Sequence, residues 1–182
     1  MTDGAAGDGG ADIAELVKAR VRDIPGYPQP EVVFKDITPL LADGPALTAV
    51  VSALASGYEG VDKVAGIEAR GFILAAPVAI RLGAGFVPVR KQGKLPGPTY
   101  AQSYDLEYGS ATIEVHQDAF APGERVLIVD DVLATGGTGA ATAELVRKAG
   151  AEVTGIAVIL ELSFLHGRAR LPDVPIRSLL VV

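Results

Sequence analysis

One stretch, in which a run of apolar residues meets two aspartates and a glycine-rich loop, most constrains what this chain can fold into. The apolar residues Val126–Val129 predict a buried strand, and they run directly into Asp130 and Asp131. The loop Ala134–Gly139 follows and leads into a helix predicted over Thr138–Ala149. Backbone N–H groups at such a helix start bind anions, and glycines let the main chain approach them closely. The stretch therefore predicts an anion cradle between a strand and a helix.

Two familiar phosphate loops differ from this one. A P-loop has a lysine directly after its last glycine, where Ala140 stands in this chain. A dinucleotide-binding loop has a further glycine three residues after Gly139, where Thr142 stands. Glu161 nevertheless lies near the acidic position expected at the end of the next strand. The P-loop is therefore disfavoured, and the dinucleotide interpretation is weakened but stays open.

The paired aspartates narrow the choice of ligand. Carboxylates beside a phosphate repel it unless they contact hydroxyl groups or a divalent cation. A sugar phosphate carries hydroxyls next to its phosphate, and a pyrophosphate brings Mg²⁺. We therefore expect a ribose 5-phosphate whose hydroxyls face Asp130 and Asp131, with Thr135 and Thr138 beside the phosphate. The alternative is a glycine-rich turn with exposed aspartates.

Around this stretch the chain alternates between strand and helix patterns, which predicts an α/β fold with a parallel sheet covered by helices on both faces. The predicted elements are strands over Val61–Ile67, Gly85–Arg90, Arg125–Val129 and Val153–Leu160, and helices over Gly71–Leu82 and Thr138–Ala149.

The N-terminal part has a different pattern. Residues 1–11 are predicted to be a disordered tail, and Asp12 with Glu15 forms a capping box that predicts the first helix. A turn-rich segment, a short extended piece, a connector and a helix opened by Pro45 are then predicted, over Ile24–Pro30, Val32–Phe34, Asp36–Gly44 and the residues up to Gly57.

The segment Lys91–Tyr104 is polar, carries two glycines and two prolines, and shows no periodicity. A segment of that length without a pattern is usually functional or mobile. Glu107–Val115, which follows it, is predicted to be part of an edge hairpin.

Composition excludes several classes of protein. The length of 182 residues suits one domain, and the net charge of −6 argues against nonspecific binding to nucleic acid. The absence of cysteine removes disulfides and thiolate chemistry and fits a cytoplasmic protein. Gly44–Tyr58 is the longest uncharged stretch, shorter than the roughly 18 residues that span a bilayer. His116 and His166 are isolated and are interpreted as ordinary polar positions.

The strand, the two aspartates and the loop Ala134–Thr138 resemble the motif with which type I phosphoribosyltransferases bind phosphoribosyl pyrophosphate (PRPP). Further segments, in matching order and spacing, resemble the adenine phosphoribosyltransferase family over nearly the whole chain after residue 20. They are Ile24-Pro25, Val33–Pro39, Gly66–Phe72, Arg90-Lys91 with Gly93–Pro96, and Tyr104–Gly109.

The resemblance implies a type I phosphoribosyltransferase fold, a twisted parallel sheet flanked by helices, in a single domain over residues 12–182. It also implies a small N-terminal hood over residues 12–40 and a mobile β-hairpin lid, the flexible catalytic loop of residues 91–109. The implied activity is purine salvage, in which adenine and PRPP give AMP and pyrophosphate. Mg²⁺ arrives with PRPP and is assigned no direct protein ligand. The implied assembly is a cytoplasmic homodimer, without nucleic-acid or membrane partners.

Carried over position by position, the resemblance also implies roles for individual residues. The 5-phosphate site comprises Ala134, Thr135, Gly136, Gly137 and Thr138, and the ribose site comprises Asp130 and Asp131. Pyrophosphate is assigned to Arg70, Arg90, Lys91 and Lys94, and the adenine or nucleotide site to Val33, Lys35, Tyr108 and Leu162. Glu107 is the implied catalytic residue, which handles the proton that adenine loses.

Two of these positions carry a physical argument of their own. An arginine at the start of a helix opposes the helix dipole unless an anion lies nearby, which favours an anion at Arg70. Lys35 stands where relatives often have arginine, which is harmless if adenine contacts only the main chain there.

Three other functions were compared with this one. A transferase for guanine, hypoxanthine or xanthine is disfavoured by Val33–Pro39 and Leu106–Gly109. A PRPP-sensing regulator without catalysis commonly adds a DNA-binding segment, for which this acidic chain has no room. A NAD-binding module lacks its third glycine.

Overall fold

The structure, a computed structural model, describes residues 8–105 and 109–182. Within these ranges the helices are α1 (Asp8–Lys18), α2 (Thr38–Ala42), α3 (Gly44–Ala55), α4 (Arg70–Leu82) and α5 (Gly137–Lys148). The strands are β1 (Arg22–Pro25), β2 (Val33–Asp36), β3 (Lys63–Ile67), β4 (Gly85–Lys91), β5 (Thr99–Asp105), β6 (Ser110–His116), β7 (Arg125–Leu133), β8 (Glu152–Glu161) and β9 (Ile176–Val181). Two short 3-10 helices, Ser163–Leu165 and Gly167–Arg170, connect β8 to β9.

Seven strands form the central sheet, in the order β5-β6-β4-β3-β7-β8-β9. Strands β4, β3, β7, β8 and β9 run parallel, whereas β6 pairs antiparallel with both β4 and β5. The predicted α/β fold, with a mostly parallel sheet flanked by helices, is confirmed. Strands β1 and β2 form a separate antiparallel sheet, called here the N-terminal hairpin.

The hydrophobic core has two halves, one on each face of the sheet. Leu127 and Val129 of β7 pack on one side, with residues of α1, α3 and α4. Val126 and Ile128 pack on the other side, with residues of α5. Because side chains alternate along a strand, an uninterrupted apolar run is what a strand buried on both faces requires. The core therefore holds β7 firmly up to the point where the aspartates begin.

Some predicted boundaries were wrong. Helix α1 begins at Asp8, so Asp12 lies inside it rather than capping it, and the helix includes residues 8–11, which had been assigned to the tail. The predicted connector over Asp36–Gly44 contains α2, whose Leu40 is fully buried. At α2, the packing of Leu40 into the core stabilises a helix that the local sequence pattern does not mark.

Sheet pairing moved two further boundaries. Strand β7 continues to Leu133, because β8 pairs with it as far as Leu133 and Glu161, so the two aspartates lie within the strand rather than after it. Thr99–Asp105, most of which lies in the stretch Lys91–Tyr104 that has no periodicity, is strand β5 and pairs with β6 over its full length. Within the described ranges, no helix is both long and apolar enough to cross a membrane.

Candidate active site

A cavity of about 450 Å³ opens where β3 and β7 end, at the edge of the sheet from which the glycine loop departs. The N-terminal hairpin covers one side of it and the loop lies on the other. Its lining residues are Val32, Val33, Phe34, Lys35, Ile67, Glu68, Ala69, Arg70, Lys91, Tyr104, Ile113, Asp130, Asp131, Val132, Ala134, Thr138 and Leu162.

A smaller recess of about 80 Å³ adjoins this cavity and is lined by the whole glycine loop, from Leu133 to Gly139. Helix α5 begins at Gly137, and Gly136 caps it with a φ of +81°, a conformation that glycine adopts without a steric penalty. The first N–H groups of a helix have no partner within that helix. The recess therefore offers backbone donors and the hydroxyls of Thr135 and Thr138 to a small anion. Asp130 and Ala134 line both spaces, so one ligand can occupy the two together.

The two aspartates lie side by side at the floor of the cavity. Asp131 is buried, with 5% of its surface exposed, and Asp130 is half-buried. Asp130 Oδ1 accepts a hydrogen bond from the backbone N–H of Asp131 at 2.9 Å. Asp131 Oδ2 lies 2.9 Å from the guanidinium of Arg70, yet no described group makes a well-oriented hydrogen bond to it. The floor thus places two carboxylates beside the cavity, one of them paired with Arg70.

The environment makes both carboxylates reluctant to ionise. Burial raises the pKa of Asp130 well above its usual value, and the adjacent Asp131 raises it further. Burial also raises the pKa of Asp131, while the positive charge of Arg70 opposes that rise. Groups that bear such a cost without a structural benefit are typical of functional sites.

Arg70 connects three parts of the site. It begins α4, so its charge opposes the dipole of that helix, as the sequence indicated. Asp131 supplies the expected nearby anion from the protein itself. The guanidinium also lies 5.0 Å from the centre of the Phe34 ring and donates a long hydrogen bond of 3.5 Å to the carbonyl of Lys35. The peptide bond between Glu68 and Ala69, just before this helix, is cis.

Three further cations were assigned to pyrophosphate, namely Arg90, Lys91 and Lys94, and they do not all reach the cavity. Lys91 lines the cavity, whereas Arg90 and Lys94 lie outside it as the described residues form it. Arg90 contacts Glu68 at 3.3 Å and donates to the carbonyl of Lys94 at 3.0 Å. Glu68 also accepts the backbone N–H of Lys91 at 2.9 Å, and that hydrogen bond, helped by Arg90, lowers the pKa of Glu68. Glu68 thus holds the start of the loop against the cavity.

Val33, Lys35 and Leu162, to which the resemblance assigns adenine, all line the cavity. The ammonium group of Lys35 pairs with Asp23 at 2.8 Å, a contact between two strands of the N-terminal hairpin. Because this side chain is engaged elsewhere, the main chain of residue 35 is the part best placed to meet a ligand.

Glu107 and Tyr108 lie outside the described residues. The strands on either side of them are described: Asp105 of β5 pairs with Ser110 of β6, so the chain reverses direction between these positions. Tyr104, at the end of β5, lines the cavity.

Several residues near the site were assigned no role from the sequence, among them Phe34, Glu68, Tyr104 and Gly167. Phe34, Glu68 and Tyr104 line the cavity, and each lies inside a segment whose resemblance had been noticed without a role for that residue. Gly167 packs against the glycine loop and lies in a part of the chain with no periodicity or motif. Local sequence carries no signal for such a contact.

The dinucleotide interpretation depended on a free acidic side chain at Glu161. That carboxylate is buried and takes two hydrogen bonds from Arg168, at 2.6 and 2.7 Å, and one from Ser178 at 2.6 Å. These bonds lower its pKa. Glu161 is therefore a structural anion rather than a ligand for ribose.

The two histidines are not paired: His116 bonds the carbonyl of Pro96, and His166 is exposed.

Comparison with known proteins agrees with this geometry. The phosphoribosyl transferase domain family matches residues 40–174. An adenine phosphoribosyltransferase of Thermobifida fusca is 63% identical over 94% of this chain and 98% of its own length. The crystal structure of the adenine phosphoribosyltransferase of Rhodothermus marinus superposes with a TM-score of 0.90 at 51% identity, covering 94% of this chain and 99% of that one.

A third relative was solved with ligands. The adenine phosphoribosyltransferase of Saccharomyces cerevisiae, complexed with adenine and an imino-altritol bisphosphate, has a TM-score of 0.88 at 36% identity and covers 93% of this chain and 99% of that one. Identity of this degree over nearly the full length, together with the paired aspartates and the glycine loop at one cavity, leads to one conclusion: the chain belongs to the adenine phosphoribosyltransferase family.

Proposed function

We propose that this protein transfers the phosphoribosyl group of PRPP to adenine, forming AMP and releasing pyrophosphate in purine salvage. The observation that carries the proposal is the continuity of the two spaces. A recess lined by the glycine loop opens through Asp130 and Ala134 into a cavity with an apolar side formed by Val33, Phe34 and Leu162. A phosphate, a ribose and a flat base require these surroundings in this order.

The loop Ala134–Thr138 binds the 5-phosphate in this proposal, through backbone N–H groups and two hydroxyls. Asp130 and Asp131 accept hydrogen bonds from the ribose hydroxyls. The position of both carboxylates on the lining of the cavity supports this assignment.

Pyrophosphate leaves toward Arg70 and Lys91, which both line the cavity. We propose that Lys94, in the loop after β4, and the side chain of Arg90, near the end of β4, join them when that loop changes position, since both lie outside the cavity here. The oxygen-rich floor suits Mg²⁺, and we propose that the cation is held mainly by PRPP. When bound, Mg²⁺ neutralises charge on the departing pyrophosphate.

The reaction is an inverting displacement at C1 of the ribose. Adenine N9 forms a bond to C1 as the bond from C1 to the pyrophosphate oxygen breaks, and the oxygen keeps the electron pair. The imidazole ring of adenine loses one proton, which we assign to the carboxylate of Glu107. Arg70 and Lys91 stabilise the negative charge that develops on the leaving group.

Adenine lies between Val33 and Leu162 in this proposal, with the main chain of Lys35 and the side chain of Tyr108 nearby. Apolar walls alone discriminate weakly between purines. Hydrogen bonds from the exocyclic amine to carbonyls of the hairpin backbone reject a 6-oxopurine far more strongly, because the wrong base leaves those carbonyls unpaired.

We also propose a cytoplasmic homodimer. Ile73, Ile80 and Phe86 expose 47, 83 and 39% of their surfaces on α4 and β4, where a second subunit would cover them. Light scattering that gave a fully active monomer would contradict the dimer.

One assay tests the activity. Radiolabelled adenine, hypoxanthine and guanine are each incubated with the protein, PRPP and Mg²⁺, and the nucleotides are separated. We expect label from adenine alone to appear in a nucleotide, and chelation of Mg²⁺ to stop its formation. Equal use of hypoxanthine would overturn the choice of adenine, and no product from any base would overturn the enzyme.

A second assay tests the role of Glu107. Glu107→Gln is expected to lower kcat by about 100-fold or more, because the general base is lost, while the affinity for PRPP changes little. Glu59→Gln, an exposed residue far from the cavity, serves as the matched control. Equal turnover of Glu107→Gln and the parent would remove Glu107 from catalysis.

A further inference from the structure

The glycine loop is in direct backbone contact with a segment that lies about thirty residues further along the chain. A Cβ atom on Gly136 would overlap the carbonyl oxygen of Gly167 and lie 3.0 Å from its carbonyl carbon. A Cβ on Gly167 would in turn overlap the carbonyl oxygen of Ala134 and lie 3.1 Å from the backbone nitrogen of Gly136. The two main chains therefore touch with no room for a side chain on either.

The requirement at Gly167 is steric. Gly136 adopts a positive φ, whereas Gly167 is not among the glycines with positive φ in the described chain. An alanine at 167 has no unusual conformation to adopt, and its only conflict is with the loop. Residue 167 is also buried against that loop. Its backbone thus serves as a wall that sets the position of the peptide groups of residues 134–136.

An ionic cluster holds this wall in place. Arg168, next in the chain, forms a two-bonded pair with Glu161 and donates to the carbonyl of Ile176 and the hydroxyl of Ser178, at 3.2 and 3.3 Å. Ser178 also donates to Glu161. A planar guanidinium with two parallel bonds to a carboxylate has little freedom to rotate. Arg168 therefore fixes Gly167 relative to the ends of β8 and β9.

The other end of the same segment is tied to the loop as well. The backbone N–H of Leu162 donates to the carbonyl of Leu133 at 2.9 Å, and Leu133 directly precedes the glycine loop. The loop is thus confined at its first residues through Leu162 and at its turn through Gly167.

We propose that Gly167, held by the cluster of Arg168, Glu161 and Ser178, is a positioning residue that sets the geometry of the 5-phosphate site. Backbone donors bind a phosphate well only when they are already aimed at it, so a displaced loop loses affinity for the phosphate. Of the proposed base contacts, Val33 and Lys35 belong to the N-terminal hairpin and not to the segment that forms this wall. Leu162 lies at the other end of the segment that carries Gly167, and the substitutions below leave it unchanged. The inference rests on the proposed function, because it treats the loop as the phosphate site of PRPP.

The test compares the KM for PRPP with the KM for adenine in the same variant. Gly167→Ala is expected to raise KM for PRPP at least tenfold and to change KM for adenine less than twofold. Gly44→Ala is the matched control, because Gly44 is exposed, has no positive φ and shows no described atom within 4 Å of an added Cβ. An equal rise in both constants for Gly167→Ala, or no rise for PRPP, would overturn the proposal.

Variants at the cluster separate positioning from a loss of folding. Arg168→Met removes the charge and keeps most of the length, and we expect a rise of about fivefold in KM for PRPP. Arg168→Lys is expected to restore part of it, and circular dichroism at the assay temperature should match the parent for both. If the folded Arg168→Met protein keeps the parent's KM for PRPP, the cluster does not position the loop.

The same assays distinguish this inference from the function on which it rests. A parent protein that forms no AMP would refute the proposed activity. A parent that forms AMP, with a Gly167→Ala variant unchanged toward PRPP, would refute the positioning role alone.

Discussion

The two sides of the cavity are built in different ways. The glycine loop continues from β7, whose residues Val126–Val129 are completely buried, and its backbone touches Gly167. The N-terminal hairpin has only two strands, every residue of β1 is exposed, and Val33 keeps 47% of its surface exposed. A hairpin of two strands is at best marginally stable alone. The phosphate side is therefore held by packing, and the base side by a few polar contacts.

Those polar contacts can be named. Asp36 accepts the backbone N–H of Thr38 at 2.9 Å and pairs with Arg22 at 2.8 Å, and Lys35 pairs with Asp23. Arg70 joins the hairpin to the main domain through Phe34. From this difference we expect that substitutions on the side proposed to bind phosphate weaken both PRPP binding and stability. Substitutions on the side proposed to bind the base should mainly weaken adenine binding.

The largest effect is expected from Gly136→Ala. The variant must accommodate a positive φ and an overlap with Gly167, so we expect PRPP binding to weaken at least 100-fold and stability to fall by roughly 3 kcal/mol. Gly123 also has a φ of +81° but no described atom within 4 Å of an added Cβ. Gly123→Ala should therefore cost only about 1 kcal/mol and leave PRPP binding intact. Calorimetry measures PRPP binding by the two variants, and denaturant unfolding measures their stability. Equal losses in Gly136→Ala and Gly123→Ala would show that the contact with Gly167 is unimportant.

Asp130→Asn should come next, with PRPP binding about tenfold weaker, because a charge-assisted hydrogen bond to ribose is lost. Asp130→Asn should also stabilise the folded protein, although it weakens PRPP binding. The folded state raises the pKa of Asp130 above its usual 3.8, so the folded protein binds more protons than the unfolded one above that pH. The contribution of Asp130 to the free energy of unfolding therefore falls as pH rises above 3.8.

The variant should therefore lose less stability than the parent as pH rises above 3.8. Urea unfolding at a series of pH values provides the measurement. If the free energy of unfolding fell equally with pH in the parent and in Asp130→Asn, ionisation of Asp130 would carry no cost in stability. The contrast between the two sides of the cavity would then not extend to electrostatics.

Asp36→Asn tests the base side. Loss of the charge weakens the contacts with Arg22 and Thr38, and we expect KM for adenine to rise about fivefold while KM for PRPP stays within twofold. Asp118→Asn, an exposed residue on the turn after β6, is the control. An equal effect on PRPP would show that the two sides are coupled.

Acid should affect the same contacts. Hydrogen bonds from Thr38, with help from Arg22, lower the pKa of Asp36 to about 2. The stabilisation by this carboxylate is therefore complete above its usual value of 3.8 and is lost as pH falls through about 2. The Asp36→Asn variant should lack this acid-dependent step in a series of thermal melts.

The smallest effect is expected from Lys35→Arg. The ion pair with Asp23 lies at the surface and either cation can form it, so KM for adenine should change by no more than about twofold. Lys35→Met, which removes the pair, should raise that KM slightly more. A tenfold effect of Lys35→Arg in steady-state kinetics would mean that the side chain itself contacts the base.

Much of the phosphate side could be predicted from the sequence, because strand, carboxylates and loop are consecutive in the chain. The order of Val126–Val129, Asp130, Asp131 and the glycines requires no distant information. The base side could be assigned only through resemblance, since Val33, Lys35 and Leu162 come from separate parts of the chain. The roles of the individual residues stay predictions, with Glu107 and Tyr108 outside the described structure.

The sequence by itself determined the α/β class, the strand that carries two acids and the loop that begins a helix, because periodicity and glycine act locally. Tertiary structure alone decided that β7 runs past the aspartates, that Thr99–Asp105 is a strand, and that Arg70 neutralises Asp131. It also decided that Gly167 closes on the phosphate loop. The physical reason is that pairing, ion pairs and backbone contacts depend on distances between residues far apart in the chain, which local pattern does not encode.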